Sequence, residues 1–456
     1  MNSCKVDNLD TEINYSSLRK EIVSFSWPCV AELFLMSLIS MVNLIMVGHL
    51  GAYAISAVGI TNQPVYISIS VFQAFNIGAT ALVARFIGAK DYDNARVVVI
   101  QTMIVSVFSG LVLCIIGFFS ARWIVVAMGA SKEIVSYAEL YMKYMAVGML
   151  FQSIPTAVSS LLRGAGETKS PMRFNIISNI VNVIAGYIFI YGFWFVPGMG
   201  VEGAAIAATL AKLTACVMSI YAILNTRMPV HISMKYKFRL DFSMLKRIMN
   251  IGYASAGEQF VLRVGLLIFT KLVADLGTIP FAAHQICINI MGLSFNVGQA
   301  LGMAATSFMG RNLGAKKPDL AETYGREIRR MGMALSVFIG ACFFIAGFWI
   351  ARLYTGDLEV VALSALLLKI IAFITPVQNS QLIIAGGLRG AGDTRWPFIA
   401  TLCGILGVRM IIGFLFVKVF LWGLIGAWVA ISIDQFVRSA IIYIRFRDGR
   451  WKYAEV

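Results

Sequence analysis

The chain has 456 residues, of which 59% are hydrophobic and 13% are charged. A soluble globular protein carries about 25% charged residues, so this composition excludes a soluble domain, a disordered chain and a disulfide scaffold. The net charge of +15 is typical of basic loops on one face of a membrane protein, and we expect no nucleic-acid partner. We therefore predict an all-α polytopic membrane protein.

Apolar segments long enough for membrane helices of about 20 residues follow one another along the chain. We predict twelve spans, at residues 23–48, 55–84, 96–119, 134–161, 172–195, 202–225, 247–275, 280–309, 328–351, 359–387, 397–417 and 420–443. The polar segment between the sixth and seventh spans divides them into two sets. We predict an N-terminal six-helix lobe at 1–225, a cytoplasmic linker at 226–246, and a C-terminal six-helix lobe with a short cytoplasmic tail at 247–456.

An internal repeat relates the two halves. Residues 85–90 (RFIGAK) recur as 311–316 (RNLGAK), and residues 162–168 (LRGAGET) recur as 388–394 (LRGAGDT), each with an offset of 226 residues. Each half has an even number of spans, so both halves enter the membrane in the same direction. We expect two parallel six-helix lobes, related by a pseudo-two-fold axis along the membrane normal, around a central cavity.

The distribution of Lys and Arg predicts the orientation. Most basic residues lie in the N-terminal segment, the linker, the loops on the same side and the C-terminal tail, which places both termini in the cytoplasm of a plasma (inner) membrane. No Walker A motif, dinucleotide loop or metal-binding histidine cluster is present in the sequence. We therefore expect a protein that is not an enzyme, needs no cofactor and draws energy from an ion gradient or from the gradient of its own substrate. One chain contains both lobes, so we expect it to function as a monomer.

Several motifs identify a family resemblance. Residues 46–51 (MVGHLG) resemble the end of span one in bacterial multidrug and toxic compound extrusion (MATE) transporters, and 282–286 (AAHQI) resemble their span-eight motif. The repeated loop motifs are similar to the cytoplasmic loops of that family. The resemblance covers residues 20–445. It implies export of drugs or metabolites in exchange for protons or sodium. The two lobes favour alternating access, and acids in the spans would attract lipophilic cations into a cavity of low dielectric constant. We therefore predict a secondary active multidrug exporter that antiports small hydrophobic cations against protons or sodium, with membrane lipid around it.

Two acids in the spans are candidate coupling residues. Glu32 and Glu258 occupy the same position in the two repeats, and intramembrane carboxylates normally face a cavity or a partner. The alternative is a structural hydrogen bond or an ion pair with an arginine in the spans: Arg263, Arg409 or Arg438. A third acid, Asp434, lies one helical turn before Arg438, which predicts a structural pair.

The resemblance also shows departures from the family pattern. This chain has Asn43 where many relatives have an acid and Gly186 where some relatives have one, although Asn182 matches the family. Asn182 and Asn43 do not titrate, but we consider them as sodium ligands. Gln378 stands where some relatives have an acid, and its repeat mate is Gln152. We predict that these amides line a polar path or form interhelical hydrogen bonds.

A second class of function, lipid flipping, is also compatible with the two predicted lobes. A flippase for lipid-linked saccharides would have the same two lobes, and it would need basic residues deep in its cavity to bind pyrophosphate. Arg263 and Arg409 are the candidates for that role. A sensor or channel is less compatible with the duplicated lobes and the lack of a predicted soluble domain.

Overall fold

The computed structural model of this chain describes residues 14–130, 132–194, 197–225 and 240–454. Most of the predicted linker, residues 226–239, lies outside the described residues. Helix α8 begins at Phe242, so the end of the segment predicted as the linker is already helical.

The described helices follow the predicted spans, with longer bounds. In the first half they are α1 (Tyr15–Gly48), α2 (Ala52–Gly88), α3 (Tyr92–Phe119), the short α4 (Ala121–Ala127), α5 (Lys132–Gly164), α6 (Lys169–Tyr191) and α7 (Val201–Leu224). In the second half they are α8 (Phe242–Ala274), α9 (Thr278–Gly314), α10 (Pro318–Arg352), α11 (Leu358–Gly390), α12 (Arg395–Leu402), α13 (Met410–Phe414) and α14 (Gly423–Asp448). Two π-helical stretches, Cys403–Arg409 and Leu415–Val419, make α12 and α13 parts of one span, Arg395–Val419.

Eleven spans in the described residues are long and apolar enough to cross a membrane. The remaining long helix, α8, has 33 residues. It carries five ionisable side chains that lower its hydropathy: Lys246, Arg247, Glu258, Arg263 and Lys271. With α8 included, the described part of the chain has the twelve predicted spans. The prediction of an all-α polytopic membrane protein is confirmed.

Acidic side chains cap the N-termini of several helices. They accept hydrogen bonds from amide groups of the first turn, which have no partner within the helix. Asp241 caps α8 and accepts from the amides of Met244 (3.1 Å) and Ser243 (2.9 Å). The bond from the Met244 amide is the main reason that the pKa of Asp241 is lowered. Asp91 and Asp357 cap α3 and α11 in the same way. The helix starts are thus encoded locally in the loops.

The sequence repeat appears as matching contacts in the two halves. In the first half, the Thr80 hydroxyl donates to the carbonyl oxygen of Ser160 (3.0 Å), which joins α2 to α5. In the second half, the Thr306 hydroxyl donates to the carbonyl oxygen of Gly386 (2.8 Å), which joins α9 to α11. Both residues of the second pair lie 226 positions after those of the first. The two halves therefore pack their helices in the same way, while the boundaries of the lobes stay a prediction.

The two lobes meet at one end of the molecule. We call this end, where α2 ends at Gly88 and α9 ends at Gly314, the basic end, because the predicted basic loops lie there. The first half of α1 packs on α9 of the other lobe. Ile22 and Phe25 of α1 share a buried apolar cluster with Phe308 of α9. The first lobe is therefore anchored to the second through its own first helix.

Helix α8 makes the corresponding contact with α2 of the first lobe. A β-carbon on Gly78 of α2 would overlap the main-chain carbonyl of Ile248 on α8. One turn further along α8, a β-carbon on Gly252 would lie 2.7 Å from the carbonyl oxygen of Ala74. These glycines allow the helix backbones to approach closely, as small residues do in membrane helix pairs. The lobe boundary is thus symmetric, with α1 on α9 and α8 on α2.

Further from the basic end, polar contacts in the described residues also join the two lobes. The outermost polar contacts between the lobes in the described residues are a hydrogen bond from Asn296 to Ser37 (2.8 Å) and a cation–π contact of Arg263 with Tyr66 (5.3 Å). Beyond them, large apolar side chains of α1, α2 and α8 are exposed: Met41, Leu44, Ile45, Tyr53 and Leu267. We expect the lobes to separate beyond these contacts, so that a cleft between them faces the end opposite the basic end.

Candidate ion-coupling site

Glu32 lies near the middle of α1, and its side chain is 4% exposed. One carboxylate oxygen, Oε1, accepts hydrogen bonds from Arg163 Nη2 (2.5 Å) and Asn175 Nδ2 (2.8 Å). The other oxygen, Oε2, is buried and has no hydrogen-bond partner in the described residues. Glu32 is thus held in an ion pair inside the N-terminal lobe, with one acceptor oxygen left over.

Glu258 has the matching environment in the C-terminal lobe. Its Oε1 accepts hydrogen bonds from Arg389 Nη2 (2.6 Å) and Thr401 Oγ1 (3.4 Å). Its Oε2 is buried and, over the described ranges, unpartnered, as in the first lobe. The acid, the arginine and the third residue each lie 226 positions after their counterparts. The two ion pairs are therefore one arrangement that the repeat supplies twice.

The partners of both acids were not predicted from the sequence. The positive-inside rule placed Arg163 and Arg389 in cytoplasmic loops, and the predicted ion-pair alternative named three other arginines: Arg263, Arg409 and Arg438. In the structure, both partners belong to the last turns of α5 and α11, where their side chains reach back into the lobe. The repeat contained the signal, because these arginines share the offset of the two acids.

The N-terminal ion pair also touches the other lobe. Arg163 Nη1 lies 3.4 Å from the sulfur of Met303 on α9. Cys29, one turn before Glu32 on α1, is fully buried in the cluster that joins α1 to α9. Because Arg163 contacts both the acid and the opposite lobe, a change in the charge of Glu32 acts directly at the lobe boundary.

A second charged cluster lies inside the C-terminal lobe. Asp434 on α14 is fully buried, and its Oδ2 accepts hydrogen bonds from Arg409 Nη2 (2.5 Å) and Nε (2.9 Å). Arg438, one turn later, donates through Nη2 (3.1 Å). The expected contact of Asp434 with Arg438 is present, and Arg409 is a second partner that sequence analysis considered only for other roles. Two guanidinium groups on one buried carboxylate form a structural anchor.

Asn43 and Asn182, the candidate sodium ligands, share no hydrogen bond in the described residues. Asn182 on α6 is 7% exposed, and its Oδ1 is buried without a donor from that part of the chain. An orphaned oxygen of this kind is suited to a water or a cation. Asn43 is half-buried on α1. At Gly186, one turn after Asn182, an added β-carbon would lie 3.1 Å from the end of Met46. The sodium role stays a prediction.

The two repeat-mate glutamines lie in different surroundings. Gln152 donates to the hydroxyl of Thr156 on its own helix (3.1 Å). Gln378 is 3% exposed, and its Oε1 is buried without a partner in the described residues. The adjacent Asn379, which sequence analysis did not single out, donates to Ser336 Oγ (2.6 Å) and thereby joins α11 to α10. Neither glutamine forms a hydrogen bond with the two acids.

Each acid forms an ion pair with an arginine that a proton or a cation can disrupt. A proton on Glu258 removes the charge that attracts Arg389, and a cation at the second oxygen competes with the arginine for the same carboxylate. Either event releases a guanidinium group from its partner inside the lobe. Loss of the bond between Arg389 and Glu258 would remove a polar contact between helices α8 and α11.

Comparison with known proteins agrees with the duplicated geometry. The sequence profile of the family described as MatE matches residues 28–188 and 254–415. The chain is 29% identical over 442 residues to the probable multidrug resistance protein NorM of Thermotoga maritima, covering 95% of this chain and 93% of that protein. It is 25% identical to the uncharacterized transporter YisQ of Bacillus subtilis, with 94% of each chain covered. A structure described as the outward-facing conformation of a multidrug resistance MATE family transporter superposes with a TM-score of 0.89 at 22% identity, over 96% of this chain and 97% of that one.

Proposed function

Because the chain belongs to the MatE family, we propose that it is a secondary active exporter that antiports hydrophobic organic cations against protons or sodium by alternating access. The family and the relatives support a multi-pass membrane transporter of the multidrug class that is not an enzyme. Its substrates are small molecules. Transporters of this family use ion gradients as their source of energy.

In this proposal the coupling residues are Glu258 and Glu32. The observation that carries it is the half-satisfied ion pair of each acid, in which one oxygen binds an arginine and the other has no partner in the described residues. A proton or cation that binds the second oxygen displaces Arg389 or Arg163. Since Arg163 contacts α9 of the other lobe, ion binding alters the fit between the lobes.

The proposed substrate is a hydrophobic cation, because each acid becomes negatively charged again when its proton or cation leaves. When the ion leaves, a hydrophobic cation attracted by the carboxylate competes with the arginine from the cleft side. The cation then leaves when the acid takes up its ion again, which makes the exchange an antiport. The polar amides of Gln152 and Gln378 are proposed to line the path between cleft and acid.

The proposal also specifies how the chain is oriented in the membrane and that it acts as a monomer. The positive-inside rule places the basic end and both termini in the cytoplasm of the plasma membrane. The expected cleft would then face the outside, which is the state in which an exporter releases its substrate. Each chain contributes both lobes and both acids, so the monomer is proposed to be the functional unit.

Arg263 is the observation that favours the second candidate function, the flipping of a lipid-linked saccharide. Its exposed side chain stacks on Tyr66 across the lobe boundary and pairs with no carboxylate in the described residues. Arg409, the other candidate, is already bound to Asp434. A pyrophosphate group needs several available cations, so the exporter is the better-supported proposal.

The proposal is tested by transport of a fluorescent hydrophobic cation in proteoliposomes that contain the purified chain. We expect a pH step to move the dye, because a carboxylate such as that of Glu258 or Glu32 can bind a proton, whereas the side-chain amides of Asn43 and Asn182 cannot. A sodium pulse at constant pH is the matched comparison, and protein-free liposomes report passive leakage.

If the sodium pulse moves the dye and the pH step does not, the coupling site would be assigned to Asn43 and Asn182 instead of the two acids. Asn182→Ala is then the decisive variant, because its orphaned Oδ1 would be the lost ligand. Movement of no dye under either gradient, by protein that is monodisperse and inserted, would overturn the exporter proposal. The same liposomes would then be used to measure lipid flipping with Arg263→Gln beside the unaltered chain.

A further inference from the structure

The repeated Arg-x-x-Gly-Ala-Lys motif lies where the two lobes touch. Gly88, at the end of α2, lies against the main chain of Arg311, and Gly314, at the end of α9, lies against the main chain of Arg85. A β-carbon on either glycine would overlap the carbonyl oxygen of the opposite arginine. Helices α2 and α9 therefore cross backbone to backbone at the basic end, in a contact that only glycine permits.

Each arginine of the motif also holds a segment of the other lobe. Arg311 Nη2 donates to Glu21 Oε1 on α1 (2.6 Å). Arg85 Nη2 donates to the carbonyl oxygen of Ala454 in the C-terminal tail (2.9 Å). The Tyr324 hydroxyl on α10 donates to the second oxygen of Glu21 (2.5 Å). The two repeat mates thus make reciprocal contacts across the lobe boundary.

The C-terminal tail is fixed in the position that this contact needs. Trp451 is fully buried, stacks on Phe446 (5.3 Å between ring centres) and donates through Nε1 to the Phe446 carbonyl oxygen (2.8 Å). Lys452 forms an ion pair with Glu322 of α10 (2.6 Å). Ala454 is therefore presented to Arg85 by a tail that is anchored in its own lobe.

A cavity of about 520 Å³ lies beside this crossing. Helix α1, the loop between α5 and α6, and α9 form its walls. Glu21 and Arg311 both line it, together with the aromatic rings of Phe25 and Phe308. Separation of Glu21 from Arg311 would therefore open the wall of this cavity.

We propose that the two motifs are the basic-end gate of the transporter. The glycine crossing of Gly88 and Gly314 closes the end, and the bonds of Arg311 to Glu21 and of Arg85 to Ala454 latch it. This inference rests on the alternating access proposed above, in which the crossing forms and separates once in each cycle. The motif is repeated because both sides of a symmetric crossing need a glycine and an arginine.

The test combines a distance measurement with transport. Spin labels at the exposed positions Asn94 and Lys317, one in each lobe, report the width of the basic end in full-length protein whose seven native cysteines are replaced. We expect Gly88→Ala and Gly314→Ala to lengthen this distance and to lower dye transport about tenfold or more, because a methyl group cannot fit into the closed crossing.

Two glycines on the same helices are matched controls. Gly59 on α2 and Gly292 on α9 have no atom within 4 Å of an added β-carbon, so Gly59→Ala and Gly292→Ala should keep the distance and the transport of the unaltered protein. Closed-state distances in Gly88→Ala and Gly314→Ala would overturn the gate.

A latch variant keeps the test decisive if the glycine variants do not fold. Glu21→Gln with Arg311→Gln removes a part-exposed pair and should shift the gate about two- to fivefold toward the open form. Asp275→Asn with Lys418→Gln, an exposed pair within one lobe, should not. Unchanged distances in the latch variant would overturn the gate. If the unaltered chain moves no dye but the glycine variants still widen the basic end, the exporter proposal fails and the gate stands.

Discussion

Glu258→Gln should abolish ion-driven dye transport and also destabilise the protein, whereas Glu258→Gln with Arg389→Gln should recover the stability alone. The single change leaves the Arg389 guanidinium, 18% exposed, without its counter-charge, and breaking a buried pair costs about 3–5 kcal/mol. The double change removes both charges, so this penalty largely disappears. Coupling does not return, because no titratable group remains at the position.

This cycle separates a coupling acid from a structural one. Thermal unfolding of the purified variants measures the stability, and a pH step in proteoliposomes measures the coupling. Glu139→Gln is the matched control, since Glu139 pairs with Lys143 within one partly exposed helix turn, which contributes about 0.3–0.5 kcal/mol. Normal pH-driven transport by the double variant would show that Glu258 has only a structural role, and Glu32 with Arg163 would be tested next.

Asp434→Asn should lower the unfolding free energy by about 3–5 kcal/mol, as breaking a buried ion pair does. Arg409 and Arg438 would then be left in the lobe interior without a carboxylate. Removal of one of these cations in the same chain, by Arg438→Gln, should restore part of the loss. The double variant is therefore expected to be more stable than Asp434→Asn alone.

Chemical or thermal unfolding in detergent measures this order. Asp275→Asn is the control, because Asp275 pairs with Lys418 at an exposed site and such pairs contribute about 0–1 kcal/mol. Unfolding of Asp434→Asn at the temperature of the control would contradict a structural anchor. Asp434 would then become a third candidate for coupling.

Local patterns explain how much of the site was predictable. Asp434 and Arg438 are four residues apart on one helix, so their contact follows from helix geometry alone. Glu32 and Arg163 are 131 residues apart, and their contact depends on how α1 and α5 approach each other. Counting Arg163 as a basic loop residue was reasonable under the positive-inside rule, yet its long side chain reaches back into the lobe.

The contacts of the asparagine side chains were likewise not predictable from the sequence. Asn43 and Asn182 were grouped by their family positions, but in the described residues no hydrogen bond joins them. Asn379 escaped notice because an amide in an apolar run gives no sign of its partners, although it joins α11 to α10. Gly88 and Gly314 were visible only as parts of a repeated motif. Their closeness to the opposite backbone is a property of the lobe packing.

The sequence by itself determined the helical class, the twelve spans and the duplication, because hydropathy and repeat spacing are properties of neighbouring residues along one chain. The tertiary structure decided which arginine neutralises each buried acid, that α1 and α8 pack on the opposite lobe, and that the lobes close at the basic end. These features depend on side chains and backbones that meet from distant segments. A charge inside the membrane has to find a partner in space, and the order of residues does not name that partner.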